Sequence, residues 1–255
     1  MINLKTDLCK MRLVGKIASK ILEDIEYYIK PGISTGKIDE LCNNFIKNNN
    51  AKSATFNYMG YPKNICTSIN NVVCHGIPSY KKIIKIGDII NIDISLEKDG
   101  FYSDTSKMFI VKKTNSIGRK ICDVAKKSLY LAIKIIKPGI KLREIGKTIQ
   151  KFVEYNGFSV VRDYCGHGIG KKLHEYPQVL HYDSLTQDNI ILEPGMCITI
   201  EPMINSGSYK TKIMKDGWTV KTKDNSLSAQ YEHTIVITEK GFEVTTLRSY
   251  ENIYF

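Results

Sequence analysis

The pentapeptide Ile-Lys-Pro-Gly-Ile occurs twice, at residues 29–33 and 136–140, and the likeness runs on past it. Residues 29–46, "IKPGISTGKIDELCNNFI", align with residues 136–153, "IKPGIKLREIGKTIQKFV", at an offset of 107 residues. Each copy follows a long amphipathic helical stretch, roughly 7–28 and 116–135, and opens a second helix after the Pro-Gly break. A strand comes later in each half, "GDIINID" at 87–93 and "GMCITIE" at 195–201, at an offset of 108 residues. The order helix, helix, antiparallel strands therefore repeats, which predicts an α/β (α+β) chain of two pseudo-symmetric halves, roughly 1–112 and 113–255. No linker or low-complexity stretch divides them, so 1–255 is expected to form one catalytic domain. Asp93 and Glu201 then occupy equivalent positions. If the halves pack about a pseudo-two-fold axis, their sheets meet and these carboxylates converge.

A second feature adds to this. In "IINIDISLEKDGFYSDTSKMFIV", residues 89–111, β-branched and aromatic residues alternate with polar ones on both sides of Asp99-Gly100, a strong hairpin turn signal. Strand interiors disfavour aspartate, so Asp93 and Asp104 need a reason. With a two-residue loop Asp104 lies one diagonal step from Asp93, and with a four-residue loop the two sit opposite. Either register puts them on one face. Two like charges so placed are destabilising unless one is protonated or a cation lies between them.

The run "SLSAQYEHTIVIT", residues 226–238, reads as a further strand with Glu232 inside it, and alternation turns His233 to the opposite face. Pro202 cannot continue a central ladder, so Glu201 sits at a strand end. "CGHGIGKKLHEYP", residues 165–177, sets His167 between two glycines, with His174 seven residues on. The spacing matches neither the dinucleotide nor the P-loop pattern, and Gln178 stands where H-E-x-x-H needs its second histidine. The glycines are better read as allowing backbone to approach a crowded site. Asp93, Asp104, Glu201 and Glu232 together carry the charge that two divalent cations neutralise. One imidazole, His167, among oxygens suits Mn, Fe, Co or Zn better than Mg or Ca. Such a dinuclear site clamps and activates a bridging water for hydrolysis.

Composition excludes several alternatives. No run of eighteen apolar residues exists and the N-terminus has no signal-peptide core, which predicts no membrane span and a cytoplasmic protein. Seven cysteines without a C-x-x-C pair read as reduced thiols. The net charge of +11 comes from scattered lysines without interleaved stacking aromatics. That argues against specific DNA binding and leaves only transient ribosome contact open.

"NVVCHGIP" (71–78), "NIDISLEKDGFYSDTSKMF" (91–109), "CGHGIG" (165–170), "HEYPQVLHYD" (174–183), "TIEPM" (199–203) and "KDGWTVKTKDNSLSAQYEHTIVIT" (215–238) together closely resemble the type I methionine aminopeptidases. The resemblance implies the pita-bread fold, with antiparallel sheet around a central dinuclear metal site and helices outside. It also implies removal of the initiator methionine from nascent chains with a small second residue, by a protein that works as a monomer. By motif position it makes Asp93, Asp104, His167, Glu201 and Glu232 the metal ligands, with Asp104 and Glu232 bridging both ions. It places His75 near the scissile amide nitrogen, gives His174 the carbonyl oxygen as it becomes an oxyanion, and makes Glu201 a proton shuttle. It lines the methionine pocket with Tyr58, Tyr61, Cys66 and Trp218, a polarizable apolar wall that suits a thioether. Leu173 stands where the family often has an aromatic. The chain is expected to lack both the zinc-binding extension of longer type I enzymes and the helical insertion of type II.

Two rivals are weaker. Prolidases and Xaa-Pro aminopeptidases share the fold and ligand set but normally carry an additional N-terminal domain. Binding-only relatives have lost ligand residues, whereas all five positions are filled here.

Overall fold

The structure is a computed structural model that describes residues 1–253. The first half runs α1 (Leu8–Glu26), α2 (Thr35–Asn48), β1 (Lys52–Ser53), β2 (Cys66–Ile69), β3 (Val72–Cys74), β4 (Ile89–Lys98) and β5 (Phe101–Ile110). The second runs α3 (Ser116–Lys134), α4 (Arg143–Tyr155), β6 (Ser159–Val160), β7 (Gly166–Gly168), β8 (Glu175–Val179), β9 (Cys197–Ile200), β10 (Met203–Asn205), β11 (Thr211–Ile213), β12 (Val220–Thr222), β13 (Ser228–Gln230), β14 (His233–Ile237) and β15 (Phe242–Val244). The first helix of each half, α1 and α3, falls within its predicted stretch, and α2 and α4 open after the Pro-Gly breaks as expected.

The repeated pentapeptide does the same work twice. Gly32 and Gly139 take φ of +94° and +86°, where glycine carries no Cβ penalty. Their N–H groups donate to the carbonyls of Ile84 at 3.0 Å and Leu192 at 2.9 Å, at matching points ahead of β4 and β9. Each Pro-Gly turn thus ties its helical pair to its own sheet.

Two apolar cores are buried, one drawn mostly from each half. In α1, Met11, Val14, Ala18, Ile21, Leu22 and Ile25 recur at helical spacing and pack with Ile38, Ile92, Ile94 and Phe109. Ile121, Leu129, Ile145 and Ile149 pack with Ile198 and Ile235 in the second half. In the first half β5 pairs with β4, which runs between β1 and β2; in the second the sheet order is β15-β14-β9-β7-β8. All seven cysteines are free thiols. No helix is long and apolar enough among the described residues to cross a membrane.

Candidate metal centre

The β4–β5 hairpin turns through two residues. Asp99 and Gly100 have φ of 52° and 78°, the positive pair a type I′ turn requires. Lys98 therefore pairs with Phe101, Ser95 with Asp104, and Asp93 with Ser106. Of the two registers open in the sequence, the shorter loop holds, and Asp104 stands one diagonal step from Asp93 on the same face. Ser95 Oγ donates to Asp104 Oδ1 at 2.9 Å, while Asp93 Oδ1 is buried without a hydrogen-bond partner.

From the second half, Glu201 follows the last residue of β9, at a strand end as Pro202 demands. Thr199 Oγ1 donates to its Oε1 at 2.9 Å, Gln230 Nε2 donates to its Oε2 at 3.1 Å, and its backbone N–H donates to His181 Nε2 at 3.1 Å. Glu232 corrects the sequence reading. It lies in the break between β13 and β14, outside any strand, because its backbone is bound across the seam. Its N–H donates to the Ser106 carbonyl at 3.1 Å, and its own carbonyl accepts from Thr105 Oγ1 at 2.8 Å. Thr234 Oγ1 accepts from Asp104 N–H and donates to Asp104 O. The two halves thus meet at Asp104 and Glu232.

His167 arrives on β7 between glycines whose absent side chains make room. A Cβ on Gly166 would stand 2.4 Å from the Thr199 carbonyl oxygen, and one on Gly168 would stand 2.3 Å from that of Tyr176. His167 Nδ1 lies 2.9 Å from the Gly168 carbonyl and must donate to it, so the proton sits there and Nε2 is left as a lone pair. That Nε2 is 3.8 Å from Asp104 Oδ2 and 3.7 Å from Glu201 Oε1. Ligand atoms of Asp104, His167 and Glu232 all lie within 4.8 Å of one another.

Burial drives the carboxyls of Asp93, Glu201 and Glu232 well above the ordinary range, and the neighbouring carboxylates push them further. Burial likewise holds the His167 ring neutral, with its pKa lowered to about 4. Asp93 Oδ1 and Glu232 Oε1 are buried with no partner. An unpaired buried polar atom costs about 1–3 kcal/mol, more when charged. Divalent cations among these oxygens and the bare Nε2 remove that cost and restore ionisation, so the donor set fits them.

These five residues floor a cleft of about 700 Å³, and His75, His174, Tyr58, Tyr61, Cys66, Leu173 and Trp218 line it as well. Tyr61 meets Trp218 edge-on at 5.1 Å between ring centroids. Tyr58, which the resemblance assigns to the pocket wall, also places its hydroxyl 2.7 Å from His174 Nδ1. His75 holds φ of +54°, a backbone state that costs a non-glycine residue about 1–3 kcal/mol. Burial lowers its pKa to about 4, and burial with the neighbouring His167 does the same for His174. His233 faces away, 2.9 Å from Thr246 Oγ1. Thr199, Gln230 and His181, which hold Glu201, were not picked out from sequence. All three lie within the motifs that carry the family resemblance, but no spacing marks Glu201 as their partner.

The model of metallopeptidase family M24 matches residues 9–239. The chain belongs to this family. It is 59% identical to the methionine aminopeptidase of Escherichia coli (strain K12) over 255 residues, 99% of this chain and 96% of that one. It superposes on the crystal structure of methionine aminopeptidase from Rickettsia prowazekii with a TM-score of 0.93 at 46% identity, covering 97% of this chain and 99% of that one. Against the prolidase from Pyrococcus furiosus the TM-score is 0.76 at 23% identity, over 97% of this chain and 66% of that one. That second likeness shows the fold alone. The M24 chain is a metallopeptidase with the pita-bread fold, as the resemblance predicts.

Proposed function

We propose that this M24 enzyme is a methionine aminopeptidase that removes the initiator methionine from nascent proteins whose second residue is small. The observation that carries the reading is the group of four carboxylates, Asp104 and Glu232 buried and Asp93 and Glu201 half-buried, with one bare imidazole nitrogen at the floor of an apolar, aromatic-walled cleft. Asp93, Asp104, His167, Glu201 and Glu232 would hold two divalent ions, drawn from Co, Mn, Fe or Zn. Bound there, such ions polarise the scissile carbonyl and lower the pKa of the attacking water.

The remaining steps fall to the chain's own side chains. Trp218, Tyr61 and Cys66 receive an unbranched thioether, and the walls turn away branched side chains. Glu201, whose two oxygens accept from Thr199 and Gln230, takes up and passes on a proton. In the neutral His174 tautomer whose Nδ1 accepts a hydrogen bond from the Tyr58 hydroxyl, Nε2–H is left to donate to the oxyanion. Neutral His75 stands near the scissile nitrogen. On this reading the protein works in the cytoplasm as a monomer, on nascent chains, with transient contact at the ribosome.

Hydrolysis of Met-Ala-Ser and of Xaa-Pro peptides, each with and without chelator, tests the proposal. Chelator-sensitive release of methionine from Met-Ala-Ser is expected, with Xaa-Pro peptides left intact. Preference for Xaa-Pro would make it a prolidase, and inertness with every metal would make it a binding module.

A further inference from the structure

Behind the metal-site seam lies a buried ion cluster that the proposed chemistry does not use. The Arg248 side chain is fully buried, and its Nη2 donates to Thr105 Oγ1 at 2.9 Å and to the Ser106 carbonyl at 2.8 Å. Its Nη1 donates to Glu251 Oε1 at 2.9 Å, and its backbone N–H donates to Glu251 Oε2 at 3.0 Å. Tyr130 adds a hydroxyl bond to Glu251 at 2.7 Å. His233 stands 3.3 Å from Glu251 but makes no bond to the Thr105–Ser106 peptide.

The same two oxygens, Thr105 Oγ1 and the Ser106 carbonyl, tie down the Glu232 backbone. Arg248 therefore shares the two oxygens of the link that joins Asp104 to Glu232 across the two halves. Stability alone does not account for the arrangement, because an apolar side chain of similar volume often replaces a buried ion pair without loss. A planar fork of donors supplies fixed geometry, which a hydrocarbon does not. We propose that Arg248, anchored by Glu251, is a positioning residue that sets the spacing of Asp104 and Glu232 and through it the affinity for divalent cations. The inference rests on the metal reading of the site. Residues that support metal ligands from behind typically contribute 10- to 100-fold in affinity.

The test is a calorimetric Mn²⁺ titration of the chelator-stripped full chain, with thermal unfolding and near-ultraviolet circular dichroism on the same samples. Arg248→Met removes the fork at similar volume, and Arg248→Lys keeps the charge without the fork. The expected result is about a 10- to 100-fold loss of Mn²⁺ affinity in Arg248→Met, smaller in Arg248→Lys, with native dichroism retained. Mn²⁺ affinity within twofold of wild type in Arg248→Met overturns the inference, whatever happens to its unfolding temperature. Should Arg248→Met not fold, Glu251→Gln, which removes the anchor's charge and leaves the fork in place, is judged by the same two outcomes. A wild-type chain that takes up no Mn²⁺ overturns the metal reading itself, and this inference with it.

Discussion

The two halves bring two carboxylates each to the same floor and hold them by different means. In the first half Asp93 and Asp104 sit inside one uninterrupted hairpin, so the ladder fixes both backbones. In the second, Glu201 lies past the end of β9 and Glu232 lies ahead of β14, and an excursion through residues 202–231 separates them. There the ladder gives out where the acids begin, and side chains take over: Thr199 and Gln230 on Glu201, Thr105 on Glu232. The comparison teaches that a regular half can supply aim, while the interrupted half frees chain for the cleft wall. Trp218 belongs to that excursion.

The comparison breaks first at the seam. Asp104→Asn and Glu232→Gln each remove a charge and almost no volume, so both should lose most turnover of Met-Ala-Ser while remaining folded. Near-normal turnover in either, with metal content unchanged, sinks the two-metal assignment and the idea that ladder and break serve one end. His174→Ala sharpens it at the next level, since loss of one oxyanion donor typically costs about 10² to 10³ in kcat. KM should move little and bound metal should match wild type, whereas His167→Ala should weaken metal binding itself. A His174→Ala protein that loses metal, or shifts only in KM, contradicts the donor role. The smallest effect is expected at His233, beside a proposed ligand but on the far face. His233→Ala should keep turnover within several-fold, and a loss matching that of His167→Ala shows the face assignment to be wrong.

Much of this was legible because it is written in local patterns. The Pro-Gly repeat marked the halves, Asp99-Gly100 marked the hairpin, and period-two alternation put Asp93 and Asp104 on one face and His233 away from Glu232. Glu232 was read as part of a continuous strand because residues 226–238 are β-rich throughout. What interrupts them is a partner more than a hundred residues earlier, Ser106, whose carbonyl takes the Glu232 N–H. Gln230, His181 and Arg248 escaped for the same reason. Each acts on a group brought near only by the packing of the halves, and no spacing in the sequence encodes that contact.

The tight turn at Asp99-Gly100 has a consequence in time. Hairpins of this kind close within microseconds, and the N-terminal part of a chain leaves the ribosome first. The hairpin that sets Asp93 and Asp104 on one face can therefore close before Glu201 and Glu232 have been synthesised. Without the second half those two acids lie open to water on one face and can stay ionised. Docking of the second half is the event that dries them, so the order of synthesis defers the cost of concentrating charge to the last step of folding.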